Sequence, residues 1–67
     1  MEDLTGVREK HRIAKRHCKD NTQYKELKFQ ISVCHELGRD IPDGMIMELA
    51  AMPLIRMKNA IRLYKFA

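Results

Sequence analysis

The sequence predicts a small all-α domain of three to four short helices, with a helix-turn-helix-like C-terminal half. Three observations carry this. Apolar residues recur at spacings of three and four through residues 24–37 and again through 46–64. No segment reads as a strand. Gly38, Pro42 and Pro53 punctuate the periodic segments where helices stop or start. At 67 residues the chain is one domain, read as a basic N-terminal helix or arm over 1–19 and a helical core over 22–66.

The first helix starts near residues 4–7. Asp3 or Thr5 is its expected cap, because a short side-chain oxygen accepts from the free amides of a first turn. Val7, Ala14 and Cys18 share its apolar stripe, with His11 in the gap. So thin a stripe gains little from packing, so the N-terminal half is expected to fray without a partner. Residues 19–22, KDNT, make a turn, since Asp, Asn and Thr bond back to local backbone.

The second helix spans about 22–37. Tyr24, Leu27, Ile31 and Cys34 form one stripe, and Phe29, Val33 and Leu37 form a second. Together they predict a wide buried face with Lys25, Lys28, Ser32 and Glu36 outside it. Gly38 ends the helix, because the left-handed position after a helix suits glycine.

Asp40 is read as opening the third helix, with Pro42 in its first turn and Asp43 complementing the positive end. Ile46, Leu49 and Ala50 face inward. Pro53 ends this helix by pushing Met52 out of the helical region, then serves in the first turn of the fourth. There Leu54, Met57, Ile61 and Tyr64 make one stripe, widened by Ala60 and Leu63.

A chain this short buries a limited core, so association is expected to complete it, as a homodimer. Cys18 and Cys34 are its only cysteines, and the N-terminus MEDLTGVREK holds no apolar leader segment. These features fit a cytoplasmic, reduced protein. The longest weakly charged stretch, 44–55, is too short to span a membrane, and no membrane partner is expected.

The formal net charge of +4 is unevenly distributed. Residues 8–19 carry Arg8, Lys10, Arg12, Lys15, Arg16 and Lys19 against Glu9 alone, a net of +5. Residues 53–67 net +4 without an acid, while residues 20–52 net −3. Two basic elements around an acidic middle point to a polyanionic partner. The plainer alternative is a pair of solvated basic faces.

The C-terminal half fits a helix-turn-helix frame. Ile46 and Ala50 supply the inner face of its first helix, Ala51 the small turn residue and Met57 the apolar anchor. The string ELAAMPLIRMKNAIR, within residues 46–62, resembles region four of bacterial sigma factors, which reads the −35 promoter element. The matching residues are Glu48, Leu49, Met52, Pro53, Leu54, Met57, Lys58, Asn59, Ile61 and Arg62. Ala51 stands where that family has glycine, Met47 where it has a small residue, and Ile55 where the helix faces DNA.

This frame implies a small DNA-binding transcriptional regulator. Arg56, Asn59 and Arg62 are the base-reading candidates: asparagine matches adenine and arginine matches guanine. Lys58 and Lys65 are expected on phosphates, and Arg8, Arg12, Lys15, Arg16 and Lys19 form a phosphate-contacting arm. The alternative, in a different class, is a helical protein-binding module, an inhibitor or adaptor. Its docking face is Met45, Met47 and Ile55, because flexible thioethers fit varied partners.

His17-Cys18 and Cys34-His35 suggest a zinc site, but adjacent helical residues point ~100° apart and the two pairs fall at different levels of a helical hairpin. No metal or other cofactor is expected. No nucleophile, base and acid converge in sequence, so neither an enzyme nor a small-molecule substrate is expected.

Overall fold

The computed structural model describes residues 4–66 as four helices: α1 (Leu4–His17), α2 (Asn21–Glu36), α3 (Asp43–Ala50) and α4 (Leu54–Phe66). No strand occurs among the described residues, so the fold is all-α. The caps expected at Asp3 or Thr5 lie outside the described residues and side chains.

The KDNT turn closes as its composition requires. Asp20 Oδ1 accepts from the Gln23 amide at 2.8 Å, satisfying one of the free donors at the start of α2. At the other end Gly38 takes φ +77. The Gly38 amide bonds the His35 carbonyl at 3.1 Å, and the Arg39 amide bonds the Cys34 carbonyl at 2.8 Å. That crossed pair is the Schellman closure, which needs a left-handed residue at this position.

Asp40 does not open α3. Residues 39–42 are non-helical, and α3 starts at Asp43 with Pro42 as its cap, at φ −64 and ψ 152. The proline ring disfavours the helical region for Ile41, so a helix running through Ile41 is blocked. Freed from the helix, Ile41 enters the core and is 0% exposed.

The core also holds Ala14 from α1, Leu27, Ile31 and Cys34 from α2, Ile46, Leu49 and Ala50 from α3, and Met57 and Ile61 from α4. Phe29, Leu37 and Leu63 depart from the expected wide faces, being 61%, 57% and 73% exposed. Each helix meets its neighbours along one stripe, and these three side chains fall beyond it. The N-terminal half of α1 gains tertiary anchors. Val7 packs on the core and Lys10 pairs with Asp43 at 3.1 Å.

α1 packs on α2 and α3, and α4 packs on the same two helices. No Cα of α1 comes within 8 Å of one in α4. No helix is long and apolar enough to cross a membrane, among the described residues.

Candidate nucleic-acid interface

α3 meets α4 through a tight turn at residues 51–53. Ala51 closes α3 in the right-handed region, at φ −85 and ψ −10, so alanine needs no left-handed geometry here. The Ala51 amide bonds the Glu48 carbonyl and the Met52 amide bonds the Leu49 carbonyl, each at 3.1 Å. These short-range bonds tighten the last turn of α3. Gln23 completes the closure from α2. Its Nε2 donates to the carbonyls of Ala50, at 3.1 Å, and Met52. Gln23 is buried, and its amide satisfies carbonyls that a helix end leaves without partners.

The turn sets the start of α4, where the Met57 amide bonds the Pro53 carbonyl at 2.9 Å. Met57 and Ile61 turn inward. The opposite stripe is Ile55, Asn59, Arg62 and Phe66, at successive spacings of four, three and four, and all four are exposed. Arg56 and Lys58 flank it and are exposed too. α4 contains no acidic residue.

Lys65 differs from the other expected cations. It is half-buried, and its Nζ donates to Gln30 Oε1 at 3.1 Å. Gln30 Nε2 in turn donates to Glu26 Oε2 at 2.9 Å. Lys65 thus joins α4 to α2. A shallow groove of about 280 Å³ beside this seam is lined by Gln30, Lys58, Asn59, Arg62, Lys65 and Phe66. Tyr64 adds a second tie, its hydroxyl donating to the Asp40 carbonyl at 2.7 Å.

The methionine face is narrower than its sequence suggests. Met45 is half-buried and packs against the core, whereas Met47 is 43% exposed. The larger exposed apolar side chains are Ile55 and Phe66, each 75% exposed, with Leu63 beside them on α4.

The expected arm cations Arg8, Arg12, Lys15, Arg16 and Lys19 are all exposed. Arg8, Arg12, Lys15 and Arg16 lie on the outer side of α1, away from Ala14, and Lys19 follows in the turn before α2. Lys15 and Lys28 both approach the Tyr24 ring, at 5.9 and 5.7 Å from its centroid. That aromatic carries the basic surface from α1 onto α2. α1 and α4 have no Cα pair within 8 Å, but Lys19, just after α1, lines one cleft with Pro53 and Leu54 at the start of α4.

Among the described residues, three titratable groups are displaced from their ordinary values. Burial, and then the Lys28 ammonium, holds His11 below the usual histidine range, opposed by its bond to the Lys28 backbone. Burial raises the Cys18 thiol, with Asp20 adding to it. Burial also raises Cys34. Both cysteines are free thiols. Among the described residues no three of His, Cys, Asp and Glu gather around a point that could hold a metal ion.

No protein-family model, curated protein or solved structure matches the chain. Sequence reasoning missed Gln23 and Ile41. Gln23 follows a capping aspartate by three residues, which marks a first helical turn but not a partner 27 residues away. Ile41 lies outside any periodic run.

Proposed function

We propose that this chain binds double-stranded DNA, with α4 lying in the major groove, and acts as a small transcriptional regulator. The observation that carries this is the outer face of α4. Asn59 and Arg62 share an exposed stripe, Arg56 and Lys58 flank it, and no acid interrupts it. A major groove ~12 Å wide admits one helix, and it presents acceptor and donor edges that arginine and asparagine match in pairs. Ile55 suits a thymine methyl. Lys58 suits a phosphate, which fixes register but carries no sequence information.

A homodimer fits this reading, since helix-turn-helix proteins commonly read paired half-sites. The proposed interface is the α2 stripe of exposed Phe29 and Leu37 with half-buried Val33 between them. A two-fold axis at Val33 pairs Phe29 of one copy with Leu37 of the other, so the stripe complements itself.

A protein-binding module is the second reading, favoured by the exposed apolar side chains Ile55, Leu63 and Phe66 on the same helix. Substitution separates the two. On the DNA reading, Arg56→Ala, Asn59→Ala and Arg62→Ala each lose about 1–3 kcal/mol of discrimination where they contact a base. Lys58→Ala weakens all duplexes alike. If these changes leave duplex binding untouched while Met47→Asp abolishes function in a folded protein, the module reading takes its place.

A further inference from the structure

Beside the α2–α4 seam, cations gather without an acid among them. The groove of about 280 Å³ there is lined by Gln30, Lys58, Asn59, Arg62, Lys65 and Phe66. All but Gln30 come from α4, at spacings that bring them to one side. Lys58, Arg62 and Lys65 follow by four and three, and Asn59, Arg62 and Phe66 by three and four. Gln30 closes the groove from α2.

Two of these cations have no counter-charge. Among the described residues Lys58 and Arg62 make no ion pair, and like charges four residues apart on a helix repel. On α1, by contrast, Arg12 has Glu9 at 3.6 Å and Lys10 has Asp43 at 3.1 Å. Lys65 is held in place, because its Nζ donates to Gln30 Oε1 and Gln30 is anchored in turn by Glu26. An ammonium has three donors, so two on Lys65 are left for a ligand. The Asn59 carboxamide makes no hydrogen bond among the described residues. The remaining lining residue is aromatic. Phe66 is 75% exposed, and Lys65 Nζ stands 5.7 Å from its ring centroid.

We infer that this groove is a nucleotide site, which takes a nucleoside phosphate whose base is not stacked in a duplex. Phosphate meets Lys58, Arg62 and Lys65, a base face stacks on Phe66, and a base edge meets Asn59, whose amide matches adenine. A phosphate alone has no use for the ring. Bases inside a duplex keep their faces against their neighbours, so the ligand is a free nucleotide or an unpaired nucleotide of a strand. The volume of about 280 Å³ lies just under the ~300–1,000 Å³ of pockets for drug-sized ligands, which suits one nucleotide unit. An acidic peptide answers the cations, whereas a base answers the ring and the carboxamide together. The site shares Lys58, Asn59 and Arg62 with the proposed DNA face, but it goes beyond duplex binding by α4 and does not depend on it.

Amide chemical shifts of the isotope-labelled chain test this at ~50 mM salt, where phosphate contacts are strong. The titrants are magnesium-free ATP, inorganic tripolyphosphate and a short oligodeoxyadenylate. ATP should shift Gln30 and residues 58–66 and should saturate. Phe66→Leu keeps an apolar side chain but removes the aromatic face. It should weaken ATP about tenfold, within the range of base–aromatic stacking, and leave tripolyphosphate held as before. Lys58→Gln/Arg62→Gln should weaken both. These three side chains are exposed, and far-UV circular dichroism checks that each variant is folded.

Tighter binding of the oligodeoxyadenylate than of ATP assigns the site to an unpaired strand, and the reverse assigns it to a free nucleotide. Either result supports a nucleotide site. Equal affinity for ATP and tripolyphosphate, unmoved by Phe66→Leu, reduces the groove to a plain cationic patch and overturns it. So does the absence of any ATP shift, or a set of shifts centred on Arg8, Arg12 and Lys15 instead of α4. Polyglutamate that binds through Phe66 where ATP does not bind would make the groove a site for acidic protein and overturn it as well. None of these titrations contains a duplex, so failure here leaves the DNA reading of α4 untouched, and failure of duplex binding leaves this site untouched.

Discussion

Gln23, in the first turn of α2, donates its side-chain amide to the carbonyl of Ala50, the last residue of α3, at 3.1 Å. The same nitrogen reaches the Met52 carbonyl, one residue before Pro53. One amide from α2 thus fixes where α3 stops and where α4 begins. The direction in which α4 leaves the body depends on this bond as well as on core packing.

Gln23→Ala should therefore cost about 1–3 kcal/mol, the penalty for leaving buried carbonyls without a donor. In a domain of this size each kcal/mol lowers Tm by about 4–8 °C. Gln23→Glu should cost at least as much at neutral pH, because a carboxylate turns acceptors towards acceptors. Urea unfolding measures both. Wild-type stability in Gln23→Ala would show that the turn closes without the amide.

Ile41 and Ile55 make a matched pair of isoleucines with opposite surroundings, 0% and 75% exposed. Ile41→Ala should lose about 2–5 kcal/mol by leaving a cavity, enough to unfold much of so small a domain. Ile55→Ala should stay within about 0.5 kcal/mol of wild type. Thermal melts of the two variants check this, and equal melting temperatures would contradict the burial pattern.

The contrast between these isoleucines also marks what was legible in the sequence. Within α2, Leu27, Ile31 and Cys34 were readable as core because spacings of three and four bring them to one side. The Gly38 and Pro53 stops were readable because glycine and proline restrict backbone in known ways. Ile41 was not, since a non-helical segment carries no period and only the tertiary fold turns its side chain inward. Phe29, Leu37 and Leu63 were misread as buried because hydrophobic pattern gives the width of an apolar face but not the number of neighbours that cover it. At the candidate site, Arg56, Lys58, Asn59 and Arg62 were readable as an outer face by complement to Met57 and Ile61. The tether of Lys65 to Gln30 required the placement of α2.

His11 gives stability a pH dependence. Its ring lies between α1 and α2, with Nε2 3.4 Å from Ser32 Oγ, and burial beside Lys28 lowers its pKa. Between the folded and the ordinary value the unfolded chain binds more protons, so unfolding free energy rises with pH there. The contribution is present above about pH 6.5, the unfolded value, and is lost as pH falls through the folded one. His11→Gln should flatten this part of the curve. Urea midpoints from neutral to acidic pH read it, and an unchanged slope in the variant would assign the dependence to other groups.

The α2 stripe predicts self-association. Sedimentation equilibrium of the wild-type chain should show a dimer at high micromolar concentration, and Phe29→Lys/Leu37→Lys should be a folded monomer, since both side chains lie outside the core. A wild-type monomer at those concentrations would remove the two-fold interface. It would leave α4 binding one half-site.

The most direct test of the central claim is the affinity of the wild-type chain for a random DNA duplex across a salt series. DNA binding through α4 predicts association at ~50 mM salt, with log affinity falling linearly against log salt by about 0.9 per phosphate neutralised. No association at low salt, or an affinity that salt leaves unchanged, would contradict it.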